Sequence, residues 1–465
     1  MAELGSWQSS LQSTLRASSM GLKLIVVCVL AFLMIIPALL VLALLQDRKS
    51  READVIKEIS QYAGGPQTFL GPVLAIPYTV PAESSAQPPR RGTYLVSPAE
   101  GSSTVKTTTE ERHRSLFKVP VFQADLKLDS KFDLTDVGNA APPGAELDWK
   151  RAEVLVGVSD ARGALADATL TIDGRTFTLV PAEETLNLST HAEGDPQLRL
   201  TFLAAHVPDI VAPGAQFAAS SALRFSGAQR LAILSYAKTT HVVEDGDWPN
   251  PGFDGGFLPV KRTITPTGFS AEWSVPFIAR GVRAEGPADS TTGLDGTALG
   301  VSFVEVADPY QSVSRSLKYA PLFLGLVFLL YFVLEATTGK RVHPAQYILV
   351  GFAQVIFYLL LLSFAERIGF DFGFLVAGVS CVSLLAANAG WIFDSRLQAL
   401  RALAAFGSLY LLIYLLLRLE DNALLLGAIA SFAAIGTAMY LTRKIDWYHS
   451  LPPTSVASAG ASDAR

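Results

Sequence analysis

Hydrophobic positions along the chain fall into three regimes. Leu24 to Leu45 is an uncharged apolar run of about 22 residues, enough at 1.5 Å per residue to cross a ~30 Å hydrocarbon core. From Tyr319 to Leu441 apolar runs recur with short polar breaks, predicting five further spans at 320–334, 347–365, 372–393, 402–417 and 423–441. Two of these, 320–334 and 402–417, are short, and flanking side chains such as Lys318 and Arg418 can snorkel to make up the difference. Between the first run and the cluster lie about 270 residues in which apolar positions alternate instead of running together. The pattern predicts an integral membrane α-helical protein with about six transmembrane helices. It carries one large, mainly antiparallel all-β extramembrane domain, residues 46–318, with tails at 1–23 and 442–465.

Six spans put both termini on one side. Loops sharing that side carry Lys340 and Arg341, Arg396 and Arg401, and Arg443 and Lys444, with Arg16 and Lys23 ahead of the first helix. The opposite loops carry Glu366, Arg367 and Asp371, then Arg418, Glu420 and Asp421. The positive-inside rule assigns the basic side to the cytoplasm and the large domain to the far side. Arg48, Lys49 and Arg51 run against this, but a large domain translocates with little regard to such charges. The first helix reads as an uncleaved signal anchor, because its apolar run exceeds an h-region and no A-x-A pattern follows.

Composition agrees: half the residues are hydrophobic and 17% are charged. Both cysteines, Cys28 and Cys381, fall within spans, so the β domain holds no disulfide, no cysteine metal site and no thiol nucleophile. At its size it relies on an ordinary apolar core.

Within that domain, Val55, Ile56, Ile59 and Tyr62 recur at helical spacing over Asp47 to Ala63, and Gly64, Gly65 and Pro66 supply the stop. This helix is expected to project from the membrane and pack on the domain. Gly71 to Val80 is a strand that Pro77 demotes to an edge or bulged position. Pro81 to Gly92 is rich in Pro and Ser and reads as an exposed loop. Thr169 to Val180 is the clearest hairpin. Its Asp173-Gly174 pair suits a type I′ turn, setting Leu170 opposite Phe177, Thr171 opposite Thr176 and Thr169 opposite Thr178. Further alternating runs at 198–202, 222–225, 231–236, 260–264, 269–275 and 299–306 argue for a sandwich, as one unit or two stacked ones.

Candidate chemistry is sparse. There is no phosphate-binding loop, H-E-x-x-H or G-x-S-x-G motif. Gly157-Val158-Ser159-Asp160-Ala161-Arg162-Gly163 reads as a strand-end turn with an Asp160–Arg162 contact, ahead of a catalytic serine. The unusual stretch is Asp245 to Pro259. Asp245, Asp247 and Asp254 offer carboxylates, but the twelfth position of a calcium loop holds Gly256, not Glu. An ordered loop plugged to the core by Trp248 and Phe257 is the simpler reading. The six histidines lack metal-ligand spacing, and no cofactor is expected. Gln354 and Asn388 are the deepest polar groups in the spans, suited to interhelical hydrogen bonds. Arg341, His343, Arg443, Lys444, Trp447 and Tyr448 suit membrane-interface anchoring.

Several stretches resemble the inner membrane protein CreD family, the cell envelope integrity proteins of Gram-negative bacteria. They are GGPQTFLGPVLAIPYTV (64–80), GVSDARG (157–163), DWPNPGFDGGFLPVKR (247–262) and Phe269 to Trp273. In the membrane part they include Glu335, RVHPAQY (341–347), FYLLL (357–361), LLLG (424–427) and TRKIDWY (442–448). The resemblance runs from about residue 60 to 448 and implies a periplasmic domain, a role in envelope integrity and stress response, and no established catalytic residues. The expected partners are the lipid bilayer and an envelope protein or cell-wall component, not nucleic acid. A non-enzymatic periplasmic binding domain is therefore expected. The alternatives are a transporter or channel using Gln354 and Asn388, or an enzyme using Asp245, Asp247 and Asp254.

Overall fold

The structure, a computed structural model, describes residues 20–82, 88–114, 117–182, 199–207, 210–288, 293–303, 309–338, 340, 342–418 and 423–443. The chain forms two compact units, Arg51–Val306 and a second made of Met1–Ser50 with Ala307–Arg465.

Arg51–Val306 is built on two sheets. In the first, neighbouring strands run Pro251–Gly255, Ala298–Phe303, Arg230–Leu234, Gln67–Val80, Glu153–Val158, Thr201–His206 and Val180–Pro181, with three short or peripheral strands attached. In the second, the order is Lys261–Thr265, Gly268–Val275, Thr239–Gly246, Glu100–Arg114, Phe117–Asp133, Gln216–Ala228, Thr169–Ile172 and Arg175–Thr178. Pairing is mostly antiparallel, but Gln67–Val80 runs parallel to Arg230–Leu234, and Glu100–Arg114 parallel to Thr239–Gly246. Inward side chains of both sheets share one apolar core, including Phe69, Leu74 and Val156 from the first and Phe122, Leu128 and Trp273 from the second. One sandwich-like unit results.

The hairpin keeps its expected register, with Leu170 opposite Phe177 and Thr171 opposite Thr176. Asp173 and Gly174 have φ of 46° and 81°, the two positive values a type I′ turn demands. Pro77 departs from expectation. Its strand is internal, and the register shift lies between Leu70 and Val73. Pro77 is tolerated because the ladder to Glu153–Val158 stops at Ala75 and pairing on that side resumes at Tyr78 with Glu146–Leu147. Its missing N–H therefore forfeits no ladder bond. The expected loop at 81–92 ends sooner, since Arg90–Val96 is a strand; residues 83–87 lie outside the described residues. The Asp245 to Pro259 loop likewise contains a strand, Pro251–Gly255, paired with Ala298–Phe303.

Among the described residues, five helical stretches are long and apolar enough to cross a membrane, where the sequence suggested about six. They are Lys23–Ala63, Ala320–Thr338, Pro344–Ile368, Phe370–Phe393 and Arg396–Arg418. Helix Ala423–Thr442, 20 residues long, follows them. The first stretch breaks at Met34 into Met20–Leu33 and Ile35–Ala63. Pro37 explains the break, because it cannot donate to the carbonyl four residues earlier, that of Leu33. Residues 309–318, grouped with the β domain by sequence, instead form helix Pro309–Lys318 within the helical unit. Its buried Tyr310, Val313 and Leu317 recur at three- and four-residue spacing.

Candidate functional site

The end of the helix Ile35–Ala63 is tied to the β unit by short-range chemistry. Gly64 and Gly65 take φ of 92° and 67°, and Gly65 N–H donates to the Ser60 carbonyl at 2.6 Å, closing the helix. Ile59 and Ala63 pack on Val121 and Ala228. Arg114 pairs with Glu58 and holds that carboxyl below its ordinary range.

Beneath the helix end lies a knot of hydrogen bonds. Gln67 is fully buried, and its amide donates to the carbonyls of Gly64 (2.8 Å) and Asp160 (3.1 Å). Ser159 Oγ accepts from Thr68 N–H at 2.9 Å and lies 3.1 Å from the Pro66 carbonyl. Ser226 Oγ donates to the carbonyls of Ala63 and Gly163. The turn after Val158 closes as Asp160 accepts from Arg162 N–H and grips the Arg162 guanidinium, whose hydrogen bonds hold the Asp160 carboxyl below its ordinary range. The Ser159 hydroxyl thus accepts from Thr68 and donates to the Pro66 carbonyl or Gln67 Oε1, with no histidine among its partners in the described residues.

Against this knot opens a cleft of about 520 Å³ whose walls include Lys57, Ser60 and Gln61 from the helix, Ser159 and Arg162 from the turn, and Gln229. Gln229 has φ of 67° and marks the corner where the chain leaves Gln216–Ala228 in one sheet and enters Arg230–Leu234 in the other. Ser60 is 4% exposed, and its hydroxyl has no hydrogen-bond partner among the described residues.

The carboxylates singled out by sequence are not gathered. Asp247 accepts from Thr109 N–H at 2.8 Å and from its hydroxyl, whereas Asp254 accepts from Arg230 Nε at 2.7 Å and from Ser302. Asp245 lies within strand Thr239–Gly246, and its carbonyl accepts from Thr107. Among the described residues no three His, Cys, Asp or Glu side chains converge to hold a metal. Trp248 is buried edge-on to Phe303, and Phe257 packs on the core while its carbonyl accepts from Trp273 Nε1 at 3.2 Å.

In the helical unit Gln354 and Asn388 bond between helices. Gln354 Oε1 accepts from Tyr410 at 3.0 Å, and Asn388 Nδ2 donates to the Tyr331 hydroxyl at 2.7 Å. His343 caps helix Pro344–Ile368, its Nδ1 accepting from Ala345 N–H at 3.2 Å ahead of Pro344 at the first helical position. The Arg443 guanidinium lies 4.0 Å from the Tyr440 ring centre. Arg341, Lys444, Trp447 and Tyr448 lie outside the described residues. A buried acceptor the sequence reading left at a span end is Glu335, which is 1% exposed. It pairs with Lys23 and accepts from Val342 N–H (2.8 Å) and the Tyr347 hydroxyl (2.7 Å).

The family model described as Inner membrane protein CreD matches residues 19–448. The chain belongs to the CreD family. Inner membrane protein CreD of Escherichia coli (strain K12) is 30% identical over 448 residues, covering 93% of this chain and 94% of that protein. In this CreD-family chain, two stretches that carried the resemblance, 64–80 and 157–163, meet at the knot. Their glycines are required there. A Cβ on Gly163 would stand 2.4 Å from the Ser226 carbonyl oxygen and 2.6 Å from Gln67 Nε2, and one on Gly64 would stand 2.7 Å from Gly163 Cα. Gly163→Ala is therefore expected to lower the stability of the β unit by about 1–3 kcal/mol through overpacking. Thermal unfolding of the full-length protein checks this, and an unchanged midpoint would refute the packing. The cleft itself was missed by sequence, because its walls come from three segments far apart in the chain.

Proposed function

We propose that this inner-membrane protein supports cell envelope integrity without catalysing a reaction. Its β unit stands on the periplasmic side and binds an envelope partner, protein or cell-wall-linked, in the cleft beside helix Ile35–Ala63. The observation that carries this reading is the Ser60 hydroxyl, buried on the cleft wall without a partner among the described residues. A buried hydroxyl left unpaired costs about 1–3 kcal/mol, which a ligand atom bonded there would recover. Lys57, Gln61, Arg162 and Gln229 add polar groups around it. The topology draws support from five apolar helices plus Ala423–Thr442. With Ala423–Thr442 counted as a sixth crossing, Lys23, Lys340, Arg396 and Arg443 would share one side with both termini, the side that the positive-inside rule assigns to the cytoplasm. Against the transporter alternative, Gln354 and Asn388 each bond to a tyrosine of another helix, Tyr410 and Tyr331, as interhelical ties do.

A photo-crosslinking residue placed at Gln61 in cells is expected to capture a reproducible envelope component that the same residue at Lys261, on the far edge strand, does not. Capture of nothing from Gln61, or of the same products from both positions, would overturn the assignment of the cleft.

A further inference from the structure

Helices Phe370–Phe393 and Arg396–Arg418 leave between them a groove of about 480 Å³ in the helical unit. Its walls are apolar, with Phe374, Leu375, Val379, Leu403 and Leu411 along it. Its space comes from glycine: a Cβ on Gly407 would meet nothing within 4 Å, and one on Gly378 would rest on the Tyr410 ring at 3.4 Å. At one end the walls turn polar. Asp371 accepts from the Tyr414 hydroxyl at 3.1 Å and pairs with Arg418, whose guanidinium lies 6.0 Å from the Tyr414 ring centre.

We propose that this groove holds one acyl chain of a phospholipid whose headgroup carries both a phosphate and a primary amine, seated at Asp371, Tyr414 and Arg418. Three observations select that occupant. From Asp371 at the mouth to Ser383 at the far end the helix rises ~18 Å, a little over half of a ~30 Å hydrocarbon core and about the depth of one leaflet. The flanks are built to meet lipid, with Phe372 68%, Leu375 58%, Val379 58% and Leu411 59% exposed on transmembrane-length helices. Among the described residues, the polar end pairs one charge of each sign, Asp371 with Arg418. A phosphate takes the Arg418 fork and the Tyr414 hydroxyl, while an ammonium takes the Asp371 carboxylate, so the zwitterion replaces the ion pair without leaving either charge alone. A headgroup with phosphate but no amine would draw Arg418 away and strand Asp371. A quaternary amine offers the carboxylate no N–H.

The full-length protein, stripped of lipid in detergent and titrated separately with phosphatidylethanolamine, phosphatidylglycerol and phosphatidylcholine, tests this by native mass spectrometry. One phosphatidylethanolamine is expected to be retained per chain, several-fold more strongly than either other lipid. Gly407→Leu, which fills open space and favours helix, is expected to abolish that retention while leaving the unfolding temperature unchanged or raised. Asp371→Asn, at an exposed side chain, is expected to keep a bound lipid but erase the preference among headgroups. The proposal is overturned if Gly407→Leu retains phosphatidylethanolamine as the parent does, if the parent holds all three lipids equally, or if a lipid-free dimer of the chain forms instead.

Discussion

Glu335→Ala is expected to be the most damaging single substitution in the helical unit, costing about 3–5 kcal/mol, the usual consequence of removing one partner from a buried ion pair. Glu335 is the shared acceptor of three donors from different parts of the chain: Lys23 in the first helix, Val342 N–H before helix Pro344–Ile368, and the Tyr347 hydroxyl within it. Tyr347 is fully buried and the Lys23 side chain is 18% exposed, so water cannot fully replace the lost carboxylate. Glu335→Gln keeps an acceptor oxygen for Val342 or Tyr347 and should cost less. Pairing it with Lys23→Met removes the stranded cation as well and is expected to recover part of the remaining loss, since neutral replacement of a buried pair is often tolerated. Thermal unfolding of the detergent-solubilised full-length protein should rank the variants in that order, with Glu335→Ala lowest. A Glu335→Ala protein as stable as the parent would mean the contact contributes nothing.

What the sequence disclosed depended on how local each signal was. The Asp173-Gly174 hairpin was legible to the residue because its turn and register are set within ten positions. Strand Glu100–Arg114, one of the longest, gave no hydrophobic alternation. Its buried positions are Gly101, Ser103, Val105 and Thr107, too small and polar to register as a core face. The core space opposite them is filled by Tyr236, whose ring backs onto both Gly71 and Gly101 and whose hydroxyl donates to the Asp129 carbonyl at 2.8 Å. A strand whose packing volume is supplied by another segment's tyrosine cannot be found by periodicity alone. The parallel pairings escaped for a related reason: Gln67 meets Leu231, and Glu100 meets Thr239, across more than a hundred residues. Glu335 was visible only as a charge at a span end, because its three donors are assembled by the helix packing.

Glu244→Gln is expected to stabilise the β unit at alkaline pH and to flatten its pH dependence. Glu244 lies on the inward side of strand Thr239–Gly246, in register with Val105 and Ala271 on the flanking strands. It is 1% exposed, and Oε1 has no hydrogen-bond partner among the described residues. Burial, with a smaller push from Asp245, raises its pKa from an ordinary 4.5 to about 8. Between those values the folded chain holds a proton that the unfolded chain has released, so rising pH favours unfolding throughout that window. Below it both states are protonated and the full stability is present; above it the carboxylate is charged in both, and the loss amounts to roughly 5 kcal/mol. An amide at this position cannot ionise. The parent and Glu244→Gln proteins should therefore unfold at similar midpoints near pH 5 and diverge steadily towards pH 8, with the variant higher. The buried Trp248 and Trp273 of the same unit give a fluorescence signal that follows the transition in the full-length protein. Equal midpoints for the two proteins at pH 8 would mean that Glu244 escapes its apolar surroundings before it ionises, and that this part of the core opens far more readily than its packing implies.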